Sequence, residues 1–355
     1  MEQEDILNKP LVAIVILAWN GRHFLEKFLP SVLQTRYSPV QYYVIDNASV
    51  DDTIPFLQRN YPQIEIIALK YNEGFAKGYN VGLGQVTADY FVLLNQDVEI
   101  TPGWIDFLVD AMERNPEIAA CQPKILSYHQ KKYFEHAGAA GGFLDLFGYP
   151  FCRGRIFDFM EEDKGQYNIN SEIFWASGAA LCIRSELFFR MKGFDEDYFA
   201  HMEEIDLCWR LKRCGYSILS VNDAAVYHVG GGSLSKENPH KTYLNFRNSL
   251  CMMLKNLELF ELLYKLPIRL FFFDSLAVCN SVIQNKWNDA WAIIRADWYF
   301  VITLPLQISK RSKTNKLISK NRLRISTVKK AGYYNKSIVW DFFVRKKNKF
   351  SELRF

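Results

Sequence analysis

Several features that would announce a function are missing from this sequence. Among seven cysteines, at 121, 152, 182, 208, 214, 251 and 279, no two stand in a CxxC spacing, so neither a disulfide framework nor a zinc site is indicated and reduced thiols are expected. No GxGxxG follows the first apolar run, and no GxxxxGK followed by Ser or Thr occurs. A Rossmann dinucleotide fingerprint and a P-loop are thereby excluded. No uninterrupted apolar window of about 20 residues is found. LVAIVILAW, after the acidic MEQEDILNKP, is about nine residues, too short for a span or a secretory signal. A cytosolic body is expected, unless something else anchors it.

Acid is missing from one stretch. Residues 309 to 330 carry nine Lys or Arg and no Asp or Glu, and residues 331 to 355 add six basic residues against two acids. The net charge of +4 thus hides an acidic body that ends in a basic tail. Such tails meet anionic lipid or nucleic acid, or stay solvated, with each Lys or Arg beside an anionic bilayer contributing roughly 1 kcal/mol. Residues 309 to 330 contain no aromatic to stack on bases, which weighs against nucleic acid.

What is present is an ordinary globular composition, 49% hydrophobic and 23% charged over 355 residues. Strand-like runs at 11–18, 41–46, 63–69 and 89–95 alternate with helical spacing near 24–33, 52–60 and 74–86. That rhythm predicts an α/β fold, a mostly parallel sheet covered by helices on both faces, with ligands at the carboxyl ends of the strands. Trp19, Asn20 and Gly21, then Asp46, Asn47 and Ser49, then Asn95, Gln96 and Asp97 stand at those ends. Asp46 in IDNAS also has the chemistry of a turn former, and Asp97 before TPGW that of a strand terminator.

Further on, WASGAALCI, headed by Trp175, reads as an apolar strand whose small residues let a ligand approach closely. EEIDLCWRLKRCG reads as an amphipathic helix with Gly215 at its end. Glu203, Glu204 and Asp206 lie in its first turn, where acids suit the helix dipole and also suit a base held in a partly dry pocket. YSILSVNDAAVYHVGGGS reads as a strand pair ending at His228, before glycines that leave room for a phosphate.

Seven ordered segments carry a resemblance: VAIVILAWNG (12–21), VIDNASVDDT (44–53), NEGFAKGYNVGL (72–83), LLNQDVEI (93–100), ASGAALCIR (176–184), GFDEDYFAHMEEIDLCWRL (193–211) and VYHVGGGS (226–233). Together they resemble the inverting family 2 glycosyltransferases of GT-A, Rossmann-like fold, most closely the rhamnosyltransferase-like bacterial enzymes. The resemblance spans roughly 11 to 256. It implies that Asp46 meets the uracil or thymine ring, with Ala18, Trp19 and Asn20 beside the base. By the same resemblance Asn72, Gly74, Phe75 and Asn80 shape the nucleotide-sugar site, to which Gln96 and Trp175 are also assigned.

Asn95 and Asp97 fall on the family's DxD positions, with Asn in place of the first acid, leaving Asp97 as the main carboxylate on a Mg2+ or Mn2+ ion and His228 as a supporting ligand. Glu204 falls on the second position of the family's ED pair, one methylene longer than usual, and would be the general base, with Glu203 and Asp206 beside it. The resemblance implies transfer from dTDP-rhamnose or a UDP-hexose to a glycan or lipid-linked acceptor in surface polysaccharide synthesis. An inactive sugar-nucleotide-binding scaffold and a nucleic-acid binder are the alternatives. A processive synthase is disfavoured by the absence of a QxxRW motif.

Three regions are expected. The catalytic domain covers 1–256, divided near 126, and an irregular, glycine-bearing insert at 127–171 is expected to cover the substrates. Residues 257–308 form an amphipathic helical region that lies on the membrane or packs on the body. Residues 309–355 form a basic tail directed at an anionic membrane surface on the cytoplasmic side.

Overall fold

The computed structural model describes residues 9–135, 138–230, 238–323 and 330–355. Strand and helix alternate through β1 (Val12–Ala18), α1 (Arg22–Val32), β2 (Val40–Asp46), α2 (Thr53–Asn60), β3 (Glu65–Ala68), α3 (Gly74–Leu83), β4 (Tyr90–Asn95), β5 (Val98–Ile100), α4 (Trp104–Glu113) and β6 (Ile118–Ser127). Short strands follow: β7 (Gly142–Asp145), β8 (Pro150–Cys152), β9 (Arg155–Ile156), β10 (Phe159–Met160) and β11 (Ser171–Ile173). Then come β12 (Ala180–Arg184), α5 (Ser185–Arg190), α6 (Glu203–Arg213) and β13 (Ser217–His228).

The main sheet runs β11-β13-β6-β12-β4-β1-β2-β3, with β5 beside β13. β3, β2, β1 and β4 are parallel, as are β6 and β13, while β12 lies antiparallel between β4 and β6. Strands covered on both faces must be apolar on both. Accordingly Ala13, Val15, Phe91 and Leu93 enter one core, and Val12, Ile14, Ile16, Val92 and Leu94 the other. Gly82 lets α3 press onto this sheet, since a Cβ there would stand 2.1 Å from Ile45. The result brings the ends of β1, β2 and β4 side by side.

Three expectations are corrected. Residues 217–228 form one strand, with a register shift between Val221 and Ala225, and not a pair. The insert at 127–171 is less irregular than expected, because it builds most of a second sheet, in the order β10-β9-β8-β7 and then one further strand. Its last strand, β14 (Tyr333–Tyr334), comes from the segment read as a tail and pairs in parallel with β7. Asp145 fastens this join: one carboxylate oxygen accepts from Phe147 and Tyr149, and the other accepts from Ile338 N–H at 2.9 Å. Aromatic residues among the tail's basic ones explain the docking, with Phe350 and Phe355 packing on Phe143.

The remaining helices are α7 (Pro239–Asn256), α8 (Leu259–Ile268), α9 (Asp274–Ile283), α10 (Trp287–Ile302), α11 (Leu304–Asn321) and α12 (Ile338–Phe343). The basic run enters α11, where Lys310 pairs with Asp195 and Asp197, and Arg311 caps the carbonyls of Leu254 and Leu257. Residues 324–329 of that run lie outside the described residues, as do the expected glycines 231 and 232.

Helices α8 and α9 join through a π-helical turn, Arg269–Phe273, into one run, Leu259–Ile283. By length and composition it could cross a membrane, where the sequence reading found no such window. The charges that interrupted the window turn inward: Lys265 meets Glu261 at 2.6 Å and Tyr333 at 2.7 Å, and Arg269 meets Asp274 at 2.7 Å. The outward face is left apolar. Of the 30 large hydrophobic residues exposed among the described residues, 17 fall between Leu259 and Ile308.

Candidate active site

The ends of β1, β2 and β4, the segment before β12 and the start of α6 enclose a cavity of about 570 Å³. Trp19, Asn72, Gly74, Phe75, Asn95, Gln96, Asp97, Trp175, Glu203, Glu204 and His228 line it. Ala18, Asn20, Asp46, Asn80 and Asp206 do not.

Those five residues have other environments. Ala18 is buried, its carbonyl accepting the Asn47 N–H at 2.8 Å. Asn20, at φ +48°, donates its N–H to Ser49 Oγ and accepts the Val50 N–H, joining two strand-end loops. Asp46 Oδ2 accepts the Ser49 N–H at 3.0 Å, the turn chemistry legible in IDNAS. Its Oδ1 is buried with no hydrogen-bond partner. An orphaned acceptor of that kind is costly and is expected to await a donor. Asn80 is bonded to Phe194 through both N–H and carbonyl, which ties α3 to the loop before α6.

Asp206, grouped from sequence with Glu203 and Glu204, lies behind the cavity wall. It is fully buried and holds Arg210 at 2.8 Å, Lys255 at 2.9 Å and Asn256 at 2.8 Å. Trp175, assigned to the nucleotide-sugar site, spends its indole N–H on the Phe143 carbonyl at 2.9 Å. It can offer the cavity only ring surface.

At one end of the cavity Asp97 Oδ1 lies 3.2 Å from His228 Nε2, and Asn95 Nδ2 lies 3.4 Å from the same nitrogen. His228 Nδ1 is 3.0 Å from Glu135 Oε2. Burial alone would lower the His228 pKa, but the carboxylates of Asp97 and Glu135, one on each nitrogen, outweigh it and raise it from 6.5 to about 10. The arrangement therefore holds a positive charge between two acids. In that cationic form the imidazole has no free lone pair, so a divalent ion would be held by the Asp97 carboxylate, and by His228 only once the ion has displaced the proton between them. In a metal-bound site Glu135 would keep the proton on His228 Nδ1 and leave Nε2 as the ligating atom. Glu135 escaped the sequence reading because nothing in its local context marks it, and His228 stands 93 residues away.

Elsewhere in the cavity Glu203 and Glu204 begin α6, and each has an enclosed carboxylate oxygen without a hydrogen-bond partner. Burial pushes the Glu204 pKa up from 4.5 to about 7, against the pull of the N–H groups of Glu204, Ile205 and Gly178. Burial, then the neighbouring Glu204, carries Glu203 well above the usual carboxylate range. The preceding loop is strained: Phe199, His201 and Met202, none of them glycine, all have φ between 63° and 74°. Asn248 of α7 restrains it by donating to the carbonyls of Tyr198, Ala200 and His201.

The Phe199 carbonyl takes the N–H groups of Phe75 and Ala76, which open α3. Gly74, at φ +73°, permits this, because a Cβ there would lie 2.5 Å from the Phe199 ring. Asn47 completes the joint, bonding Asn72 and Gly74 with its amide and the Glu73 N–H with its oxygen. The two halves of the cavity are thus bolted together through side chains whose types the sequence displays but whose contacts it does not.

Residues 13–180 match the family model described as Glycosyl transferase family 2. An N-acetylglucosaminyl-diphospho-decaprenol L-rhamnosyltransferase of Mycobacterium tuberculosis is 28% identical over 242 residues, covering 64% of this chain and 78% of that protein. An uncharacterized glycosyltransferase of Haemophilus influenzae is 32% identical over 116 residues, 32% of this chain and 36% of that protein. Among solved structures, GalNAc-T7 with UDP, GalNAc and Mn2+ has a TM-score of 0.54 at 14% identity, covering 69% of this chain and 48% of that one. The mannosyltransferase PcManGT from Pyrobaculum calidifontis, in complex with GDP-Man and Mn2+, has a TM-score of 0.52 at 14% identity, covering 89% and 88%. The sheet order, the cavity at the strand ends and these matches agree: the chain is a GT-A-fold glycosyltransferase whose residues 13–180 match family 2 and which is similar to a rhamnosyltransferase.

Proposed function

We propose that this enzyme transfers a sugar, with inversion, from a nucleoside-diphosphate sugar to a hydroxyl of a glycan or lipid-linked acceptor in bacterial surface polysaccharide synthesis. The observation that carries this reading is one cavity holding the Asp97–His228 pair in one part and the Glu204 carboxylate, near pKa 7, in another. Asp97 and His228 would hold Mg2+ or Mn2+, with Glu135 orienting the histidine. When bound, that ion neutralises charge on the diphosphate leaving group. Relatives and fold neighbours whose names carry a rhamnosyl donor class or Mn2+ support the choice of dTDP-rhamnose or a UDP-hexose with such an ion.

Glu204 acts on the acceptor. Its carboxylate takes the proton of the attacking hydroxyl, whose oxygen then displaces the diphosphate from the opposite side of the anomeric carbon. A pKa near 7 keeps a usable fraction ionised at neutral pH while leaving the carboxylate basic enough to accept a proton. Burial beside Glu204 also raises the Glu203 pKa, which disfavours a second negative charge next to the base. Trp19 and Phe75 give apolar surface, Gln96 and Asn72 add polar groups to the cavity, and Asp46 Oδ1, behind its wall, would take the base N–H of a nucleotide that reaches past it.

The reading extends to organisation. The body through Asn256 acts as the catalytic domain, and the apolar face of α8 to α10 rests on the cytoplasmic side of a membrane. Inward, ion-paired Lys265 and Arg269 keep the 259–283 run against the body and not across the bilayer. Thermal stabilisation by a panel of nucleotide-sugars, with and without Mn2+, tests the donor assignment. Stabilisation is expected only with the cognate nucleotide and the ion. Equal responses to every nucleotide, or none, contradict it.

A further inference from the structure

A second, smaller cleft adjoins the cavity. It lies between the first turns of α7 and the outer side of α10, holds about 200 Å³, and shares His240 with the cavity wall. His240 and Tyr243 stack loosely on one side, with ring centroids 6.1 Å apart and planes 22° apart. Trp291 and Arg295 of α10 stand on the other.

The charge in this cleft is one-sided. Arg295 is exposed and makes no hydrogen bond or ion pair among the described residues, its guanidinium resting 5.0 Å from the Tyr243 ring centroid. Arg247 sits 5.4 Å from the same ring and bonds only the carbonyls of Asp197, Tyr198 and the Asn248 side chain. Two guanidinium groups therefore share one ring, and among the described residues no carboxylate pairs with either. Arg295 is the one charged side chain among the described residues lining the cleft, and its guanidinium is left free to meet an anion.

From this cleft an apolar stripe leads away. Trp287, Trp291, Ile294, Trp298 and Ile302 follow one another at spacings of four, three, four and four along α10, so they share a face, and all five are exposed. A cationic pocket opening on a sugar-transfer cavity at one side and on an indole-rich stripe at the other matches one chemical class. That class is an amphiphile whose phosphoryl group lies between its sugar and its hydrocarbon.

We infer that the cleft is the subsite for the phosphoryl group of a lipid-linked acceptor, gripped by Arg295, with the acceptor sugar passing His240 into the cavity and the hydrocarbon lying along the tryptophan stripe. A guanidinium suits this role through its paired donors, and indole rings suit a chain leaving an interface. The inference rests on the glycosyltransferase reading only for the fate of the sugar. The binding itself is independent of it.

Tryptophan fluorescence of the full chain, titrated with farnesyl diphosphate, with farnesol and with vesicles of anionic phospholipid, tests it. Farnesyl diphosphate should bind at least about tenfold more tightly than farnesol, and Arg295→Gln should remove that difference, the loss of one charge-assisted contact. Binding to farnesol and to vesicles should be unchanged in Arg295→Gln and weakened in Trp291→Ala. Unchanged farnesyl diphosphate binding in Arg295→Gln overturns the inference, as does an equal loss for farnesol. An equal loss for anionic vesicles also overturns it, since Arg295 would then be meeting bulk lipid headgroups. Thermal stabilisation by nucleotide and Mn2+, read in the same samples, reports the donor site separately. Its absence would count against the glycosyltransferase reading and leave the acceptor result standing.

Discussion

Replacing Glu204 by Gln should make the enzyme more stable and nearly inactive at once. The wild-type carboxylate has its pKa raised from 4.5 to about 7 by burial beside Glu203. A raised carboxylate pKa means that the folded state holds a proton the unfolded chain releases. Its stabilising contribution is therefore complete below about pH 4.5, shrinks as pH rises, and is gone above pH 7. At about 1.4 kcal/mol per unit, the ionised form costs up to about 3 kcal/mol at pH 8, reduced to the extent that water reaches the half-buried side chain. Glutamine keeps the shape and removes that cost. Its melting temperature should exceed wild type at pH 8 and match it near pH 4.5. Turnover should fall about 10² to 10⁴-fold, the usual contribution of a positioned base. Wild-type kcat should itself drop about tenfold per pH unit below 7. Differential scanning fluorimetry at the two pH values and chromatographic release of nucleoside diphosphate read both effects. A variant less stable than wild type at pH 8, or one that keeps its turnover, would refute the reasoning.

Two further substitutions separate structure from chemistry. Asp206→Ala leaves Arg210 and Lys255 buried without their shared acid and should destabilise the fold by about 3–5 kcal/mol, read by chemical denaturation. Wild-type stability with lost turnover would return Asp206 to the catalytic group. Glu135→Gln removes the acid behind His228 and should weaken Mn2+ binding about 10 to 100-fold while the nucleotide-free melting temperature stays within a few degrees. Unchanged affinity in a Mn2+ titration would show that Glu135 does not orient the ligand.

The sequence displayed the alternating half of the fold because strands buried on both faces must be continuous apolar runs, as in VAIVILA and YFVLLN. It displayed the part of the cavity built from strand ends, so Asp97, Asn95 and Trp19, which line it, were legible before any contact was known. Glu135 did not, since its meaning arises only when β13 delivers His228 to it. Asp206 looked like its neighbours in the first turn of α6, yet a helix turns 100° per residue, and that rotation points it into Lys255 and Arg210 and away from the cavity. The C-terminal region was legible only in part, for a related reason. Lys265, Arg269 and Asp274 interrupt the linear apolar pattern, but all three face inward, and Tyr333 and Tyr334 carry a strand that a run of lysines conceals.

The central claim is that Asp97 and His228 hold a divalent ion beside the leaving group. Electron paramagnetic resonance of Mn2+, titrated into the enzyme with a nucleoside diphosphate present, measures that directly. One tightly bound ion per chain is expected in wild type and in Glu204→Gln, and none in Asp97→Ala. Equal Mn2+ binding in Asp97→Ala would contradict the account.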